Sequence, residues 1–329
     1  MHPAMHLALR IARRLGVFFI SLLGASLLIF VFTNALPGDV AQVLLGTDAT
    51  PEAVARLRSQ LGLDRPLLAQ YLGWLGGILL GDFGHSHLNG MSVLTLMAPR
   101  IDVTLWLVLF SLIGSVLIAV PAGMIAALKR RSWPGFTISA AAQLGMAVPV
   151  FWGGIMAVFV FAVWLRWLPA NGYVPLARNP GQWAAHLVLP ALTLALVQAA
   201  VLIRYVRSAF IEVLNEDYYR TARSIGWTPM RALFRHGVRN AAISLVTVIG
   251  LQLSTVLVGA IVVESVFTLP GLGSLLLTAV NQRDLLVVQG TVMFLVLAVL
   301  AISALVDFSY LLIDPRPSFA ASADGGEAS

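Results

Sequence analysis

Of the 329 residues, 59% are hydrophobic and only 11% are charged, against roughly 25% charged in a soluble globular domain. That composition excludes a water-soluble fold and requires lipid around much of the chain. The formal charge of +6 would suit nucleic acid, but basic loops held on one side of a bilayer account for it equally well, and no nucleic-acid partner is expected. With no cysteine, disulfide frameworks and thiol-based metal or redox sites are excluded.

The first apolar run covers residues 15–36, uncharged and preceded by Arg10, Arg13 and Arg14. Its length is enough to cross a hydrocarbon core of ~30 Å, and no small-residue cleavage site follows. It is expected to be an uncleaved first span, with residues 1–36 forming a cytoplasmic N-terminus plus that span. Residues 37–102 are expected to form a small helical extracytoplasmic element packed on the membrane surface. Within it, Thr50 can cap a helix with Pro51 at its first position, and Val54, Leu57 and Leu61 recur at helical spacing. A second helix is expected over 66–80.

Five further spans are expected over 103–128, 136–165, 186–203, 241–263 and 285–306, making a five-span core over 103–313. Pro121 and Pro149 fall inside the second and third, where neighbouring helices can re-satisfy freed carbonyls. Six spans place both termini on one side. Alternate loops divide the 21 Lys and Arg residues 14 to 7, and the richer side carries the termini and the 204–240 connection. The positive-inside rule makes that side cytoplasmic. Residues 314–329 are expected to be a disordered cytoplasmic tail.

The 204–240 connection carries the most information. Glu216 and Asp217 begin a helix favourably at its positive dipole end, and Gly226 can end it because glycine tolerates φ > 0. Thr228-Pro229 then reads as a second N-cap followed by proline. The expected unit is helix, glycine bend, helix, with a first helix too short to be stable alone in water and so held by neighbours or a partner. On local pattern alone, an ordinary solvated basic loop fits as well.

The stretch Tyr219-Arg220-Thr221-Ala222-Arg223-Ser224-Ile225-Gly226, followed by Arg235-His236-Gly237-Val238-Arg239-Asn240, resembles the cytoplasmic EAA loop of ATP-binding-cassette importer permeases. The form is that of the dipeptide, oligopeptide and nickel uptake family. Arg220, Thr221 and Ala222 stand where that motif has Glu-Ala-Ala, and only the second alanine and Gly226 match literally. Leu36-Pro37-Gly38-Asp39, Leu61-Gly62-Leu63-Asp64-Arg65-Pro66 and Gly81-Asp82-Phe83-Gly84 resemble the same family. Val263-Glu264-Ser265-Val266-Phe267, Leu269-Pro270-Gly271-Leu272-Gly273 and Asp314-Pro315-Arg316 extend the likeness in order along nearly the whole chain.

The resemblance implies an all-α permease of the type I importer kind with six transmembrane helices, resident in a bacterial inner membrane. It implies that Tyr219, Arg220, Thr221, Ala222, Arg223, Ser224, Ile225 and Gly226 form a coupling helix docked on a cytoplasmic ATPase. The implied partners are a homologous second permease subunit, two ATP-binding subunits or domains, and an extracytoplasmic substrate-binding protein. ATP and Mg would be bound by those partners, and this chain itself would hold no cofactor. The implied cargo is a di- or oligopeptide, with nickel or another metal chelate as the alternative within the class.

Ionisable residues near span ends are few: His186, Glu264 and Asp307. Glu264 could meet solute or the binding protein, as could Asp82, although packing of Glu264 on the Pro270-Gly273 turn fits as well. His85 and His87 lack a third close ligand and are read as ordinary loop residues, with no metal site expected. Trp164, Trp167 and Trp183 fit an interfacial aromatic belt. No phosphate-binding Gly-x-x-x-x-Gly-Lys-Ser/Thr loop and no hydrolase motif occurs, so the chain is not expected to be an enzyme. The competing class, an ion-gradient-driven secondary transporter or channel, is disfavoured by the scarcity of mid-membrane carboxylates and the absence of a detectable inverted repeat.

Overall fold

The computed structural model describes residues 3–35, 40–233, 235 and 238–313. The motif at 36–39, the pair at 236–237, the tail at 314–329 and the side chains of Arg239, Asn240 and Asp307 lie outside what it describes. The helices are α1 (Pro3–Ala35), α2 (Val40–Leu45), α3 (Pro51–Gln60), α4 (Leu67–Leu79), α5 (Val93–Leu128), α6 (Trp133–Ala147) and α7 (Val150–Ala157). They continue with α8 (Pro180–Asn215), α9 (Asp217–Ser224), α10 (Pro229–Ala232), α11 (Val238–Val266), α12 (Leu272–Gln282) and α13 (Leu285–Ile313). Among the described residues, extended pairing is confined to one antiparallel bridge between His85 and Ser92.

This is a polytopic all-α membrane protein. α1, α5, α8, α11 and α13 each contain an apolar stretch long enough to cross a bilayer. The expected third span is not one rod: α6 and the stretch from α7 through the wide-turn segment Val158–Trp164 meet at an angle of 103°. The cause is local, because Val148 precedes Pro149 and takes ψ 119°, which proline steric clash favours over the helical region. Counted as a single broken span, the pair brings the total among the described residues to six.

Two helices run well past their expected limits. α5 begins at Val93, ten residues before the expected 103, and carries Pro99 and Pro121 inside it. α8 extends the expected 186–203 at both ends, starting where Asn179 Oδ1 accepts from Gln182 N at 3.0 Å and running to Asn215. The polar residues at 204–215 are therefore helix rather than loop: Val206, Phe210 and Val213 recur at helical spacing and are buried. The helices between α1 and α5 fall close to expectation, and Thr50 caps α3 by accepting from Ala53 N at 3.3 Å.

α8 is the centre of the bundle. Within its most apolar window 67% of residues are buried, against 17% in α1, which is a peripheral helix facing outward. Small residues set how closely neighbours approach α8, as expected where dispersion rather than water exclusion drives helix association. A Cβ on Gly123 of α5 would stand 2.6 Å from Val206 Cγ1, and one on Gly145 of α6 would stand 3.0 Å from Ala200 Cβ. On Gly259 of α11 it would stand 2.7 Å from Leu194 Cδ1. Buried hydroxyls turn back onto their own helices: Ser111 donates to Leu107 O at 2.6 Å and Thr193 to Leu189 O at 2.9 Å.

These contacts predict opposite outcomes for two glycines. Gly123→Ala should destabilise the purified protein by about 1–3 kcal/mol through overpacking against Val206. Gly24→Ala, in α1 with nothing within 4 Å of the added carbon, should be neutral or gain up to about 1 kcal/mol of helix propensity. Thermal unfolding in detergent, compared between the two variants, checks the difference.

Candidate functional site

At one end of the bundle, α9 follows α8 after a single residue, Glu216. Its two faces differ sharply. Tyr219 and Ala222, three apart and so on one side of the helix, are buried in a cluster with Phe210 and Val213 of α8 and with Ala232 and Leu233. Arg220, Thr221, Arg223, Ser224, Ile225 and Gly226 are exposed, Ile225 by 69%. The motif residues thus divide into an anchor, Tyr219 and Ala222, turned inward, and a presented surface made by the rest.

The bend after α9 is fixed by several independent contacts. Gly226 has φ +92°, where a side chain would be strained. Gly226 N donates to Arg223 O at 3.1 Å and Trp227 N to Ala222 O at 3.2 Å, the two bonds of a Schellman termination. The Arg223 guanidinium donates to Trp227 O. Arg231 and Arg235 lie over the Trp227 ring at 5.0 and 5.9 Å from its centroid, a cation–π arrangement. Thr228 Oγ1 accepts from Arg231 N at 3.4 Å and starts α10. The exposed Arg220–Asp217 pair, at 3.6 Å, adds little.

At the opposite end, Glu264 has no accessible surface. In this structure its carboxylate is enclosed, and it packs on the turn that leads into α12, one of the two roles the sequence left open. Its Oε1 accepts from Thr104 Oγ1 of α5 at 2.6 Å, and its Oε2 accepts from Gly273 N at 2.8 Å and Ser274 N at 3.1 Å. Thr104 Oγ1 in turn accepts from Leu272 N at 2.9 Å. A carboxylate on the first amides of α12 also faces the positive end of that helix. Gly271 is required because the Glu264 carboxylate fills the place its Cβ would take. Thr104 was not legible as part of this group, since nothing local marks it; the glycines at 271 and 273 were the available signal.

Asp82 is exposed, and its Oδ1 accepts from Gly84 N at 2.9 Å, closing a turn in which Gly81 and Gly84 have φ of +82° and +89°. That turn plants Phe83 among Met97, Leu272, Leu275 and Val287. Asp284, immediately before α13, accepts from the Ser86 hydroxyl and from His87 N at 3.3 Å. Burial pushes the His87 imidazole below its ordinary value, an effect the nearby Asp284 charge opposes. His85 is exposed, and no cluster of three or more His, Asp or Glu suited to a metal ion occurs among the described residues. Trp164 and Trp167 are exposed as an interfacial belt requires, whereas Trp183 is buried edge-on against Trp106 and Phe110.

Residues 119–319 match a family described as the binding-protein-dependent transport system inner membrane component. Residues 7–108 match the N-terminal part of a binding-protein-dependent transport system membrane component. A Brucella suis biovar 1 protein described as a peptide transport system permease protein is 41% identical over 307 residues, covering 93% of this chain and 96% of the relative. The dipeptide transport system permease protein of Escherichia coli K12 is 37% identical over 330 aligned positions, covering 93% and 97%.

The Glu264 cluster yields a direct test. Thr104→Val keeps the side-chain shape but leaves Leu272 N without its acceptor and the carboxylate without one donor. Stability should fall by about 1–3 kcal/mol, and amide exchange should rise at residues 272–275 while that of α9 is unchanged. Exchange measured by mass spectrometry on the wild-type and variant proteins reads both.

Proposed function

The chain belongs to the binding-protein-dependent transport system inner membrane component family, and from that premise we propose that it is the permease subunit of an ATP-binding-cassette importer for di- or oligopeptides, driven through α9. The peptide cargo is supported by the names of relatives that match nearly end to end. The single observation that carries the coupling role is the division of α9 into a buried anchor and a presented face on a helix joined to the bundle centre by one residue.

In this reading the basic end of the bundle faces the cytoplasm, both termini lie there, and the membrane is the bacterial inner membrane. A pair of ATP-binding subunits grips Arg220, Thr221, Arg223, Ser224 and Ile225, and supplies ATP and Mg chemistry that this chain does not itself perform. A homologous permease completes the path, and an extracytoplasmic binding protein delivers the peptide. Closure of the ATPases displaces α9. Because Tyr219 and Ala222 are embedded beside Phe210 and Val213, the displacement passes to α8 and the small-residue contacts of α5, α6 and α11.

Reversing charge and polarity on the presented face, with Arg220→Glu and Ile225→Asp together, should remove interface contacts worth about 1–2 kcal/mol each and weaken ATPase association by on the order of tenfold or more. Gly226→Val should act by a different route, straining the bend by about 1–2 kcal/mol. Co-purification of the ATPase and uptake of labelled dipeptide both fall in each variant. Unchanged association and uptake in all of them would overturn the role given to α9.

A further inference from the structure

α4 is unlike the rest of the element between α1 and α5. Its thirteen residues, Leu67–Leu79, include no charged side chain. At about 100° per residue, Leu68, Leu72 and Leu79 fall on one stripe, and Tyr71, Trp74 and Ile78 on a second face about 100° round from it. The first stripe is exposed by 68%, 57% and 74%, and Leu80 just beyond it by 90%. A helix resting in water would leave this surface uncovered, at a cost of about 25 cal/mol for each Å².

The second face sets where α4 meets α1. Tyr71 OH shares a hydrogen bond with Ser26 Oγ at 2.9 Å, and the Tyr71 and Trp74 rings lie 5.4 and 6.2 Å from that of Phe30. Ser26 and Phe30 sit inside the spanning stretch Ala12–Ala35. By helical rise, Phe30 is about 8 Å and Ser26 about 14 Å below the end of that stretch. α4 therefore meets α1 within its apolar spanning stretch, not beyond the end of it. Between the two helices runs an apolar groove of about 430 Å³, lined by Leu27, Val31, Ala35, Leu67, Leu68 and Tyr71. It continues the outward face of α1, where Leu27 and Val31 are half exposed.

We propose that α4 is inserted in the leaflet at the end of the bundle opposite α9, its leucine stripe among phospholipid acyl chains and one chain seated in the groove against α1. The occupant is lipid because the groove is continuous with the outward side of a spanning helix, is almost wholly apolar, and opens beside the apolar stretch of that helix. The inference rests on the chain spanning a membrane and is independent of the peptide cargo and of the coupling role of α9. It makes α4 a lateral anchor that holds the preceding helices α2 and α3 at a set height above the bilayer.

The absence of cysteine allows a clean test in the assembled transporter with cysteine-free partner subunits. Leu72→Cys, with Leu68→Cys as a second site should the first fail to assemble, carries an environment-sensitive fluorophore; Glu52→Cys on α3 is the aqueous control. In nanodiscs, emission from the α4 sites should be blue-shifted, quenched by phospholipids brominated near the headgroup end of the acyl chain, and insensitive to iodide. Glu52→Cys should show the reverse. Quenching of the α4 sites by iodide would overturn the proposal, as would quenching by neither agent, which would mean that a protein covers the stripe.

Discussion

The structure depends most on the one-residue junction between α8 and α9. α8 is the most buried of the spanning helices, and α9 begins directly after Glu216 with its Tyr219 and Ala222 side chains packed beside Phe210 and Val213. A longer linker would let α9 swing while the bundle stood still. With one residue and a shared apolar cluster, a force on the exposed face of α9 becomes a displacement of the central helix. Close-packed interiors transmit such displacement rather than absorb it.

The opposite end is tied as firmly, by different chemistry. There a buried carboxylate on α11 holds the threonine hydroxyl of α5 and the first amides of α12 in one group. Every polar atom in that group has a partner, which makes a buried carboxylate tolerable where an unpaired one would be costly. α5 belongs to both ends, since Thr104 joins the Glu264 cluster and Gly123 lies against Val206 near α9. The same helix therefore connects the end that carries α9 to the end where α12 begins.

Much of this was legible in the sequence because its signals are local. Thr50 and Thr228 cap the helices they were expected to cap, and Gly226 takes the positive φ that its place after a short helix required. Span number followed from apolar run length, with the third span broken because Pro149 bends the chain rather than merely interrupting a ladder. Tertiary terms escaped. The continuation of α8 through Asn215 depends on a buried face at Val206, Phe210 and Val213 that the many Arg and Glu residues nearby conceal. Trp183 is a core side chain, and Glu264, whose packing on the 270–273 turn was among the expected roles, also takes the hydroxyl of a threonine 160 residues away. Periodicity carries no information about such pairings.

The central claim is that α9 moves α8 because nothing flexible separates them. Inserting two glycines after Glu216 lengthens that junction while leaving the presented face of α9 and the whole bundle unaltered. In the assembled transporter the account predicts that the ATPase still binds and hydrolyses ATP but that labelled peptide uptake is lost. Uptake at the wild-type rate, with ATPase bound, would contradict it.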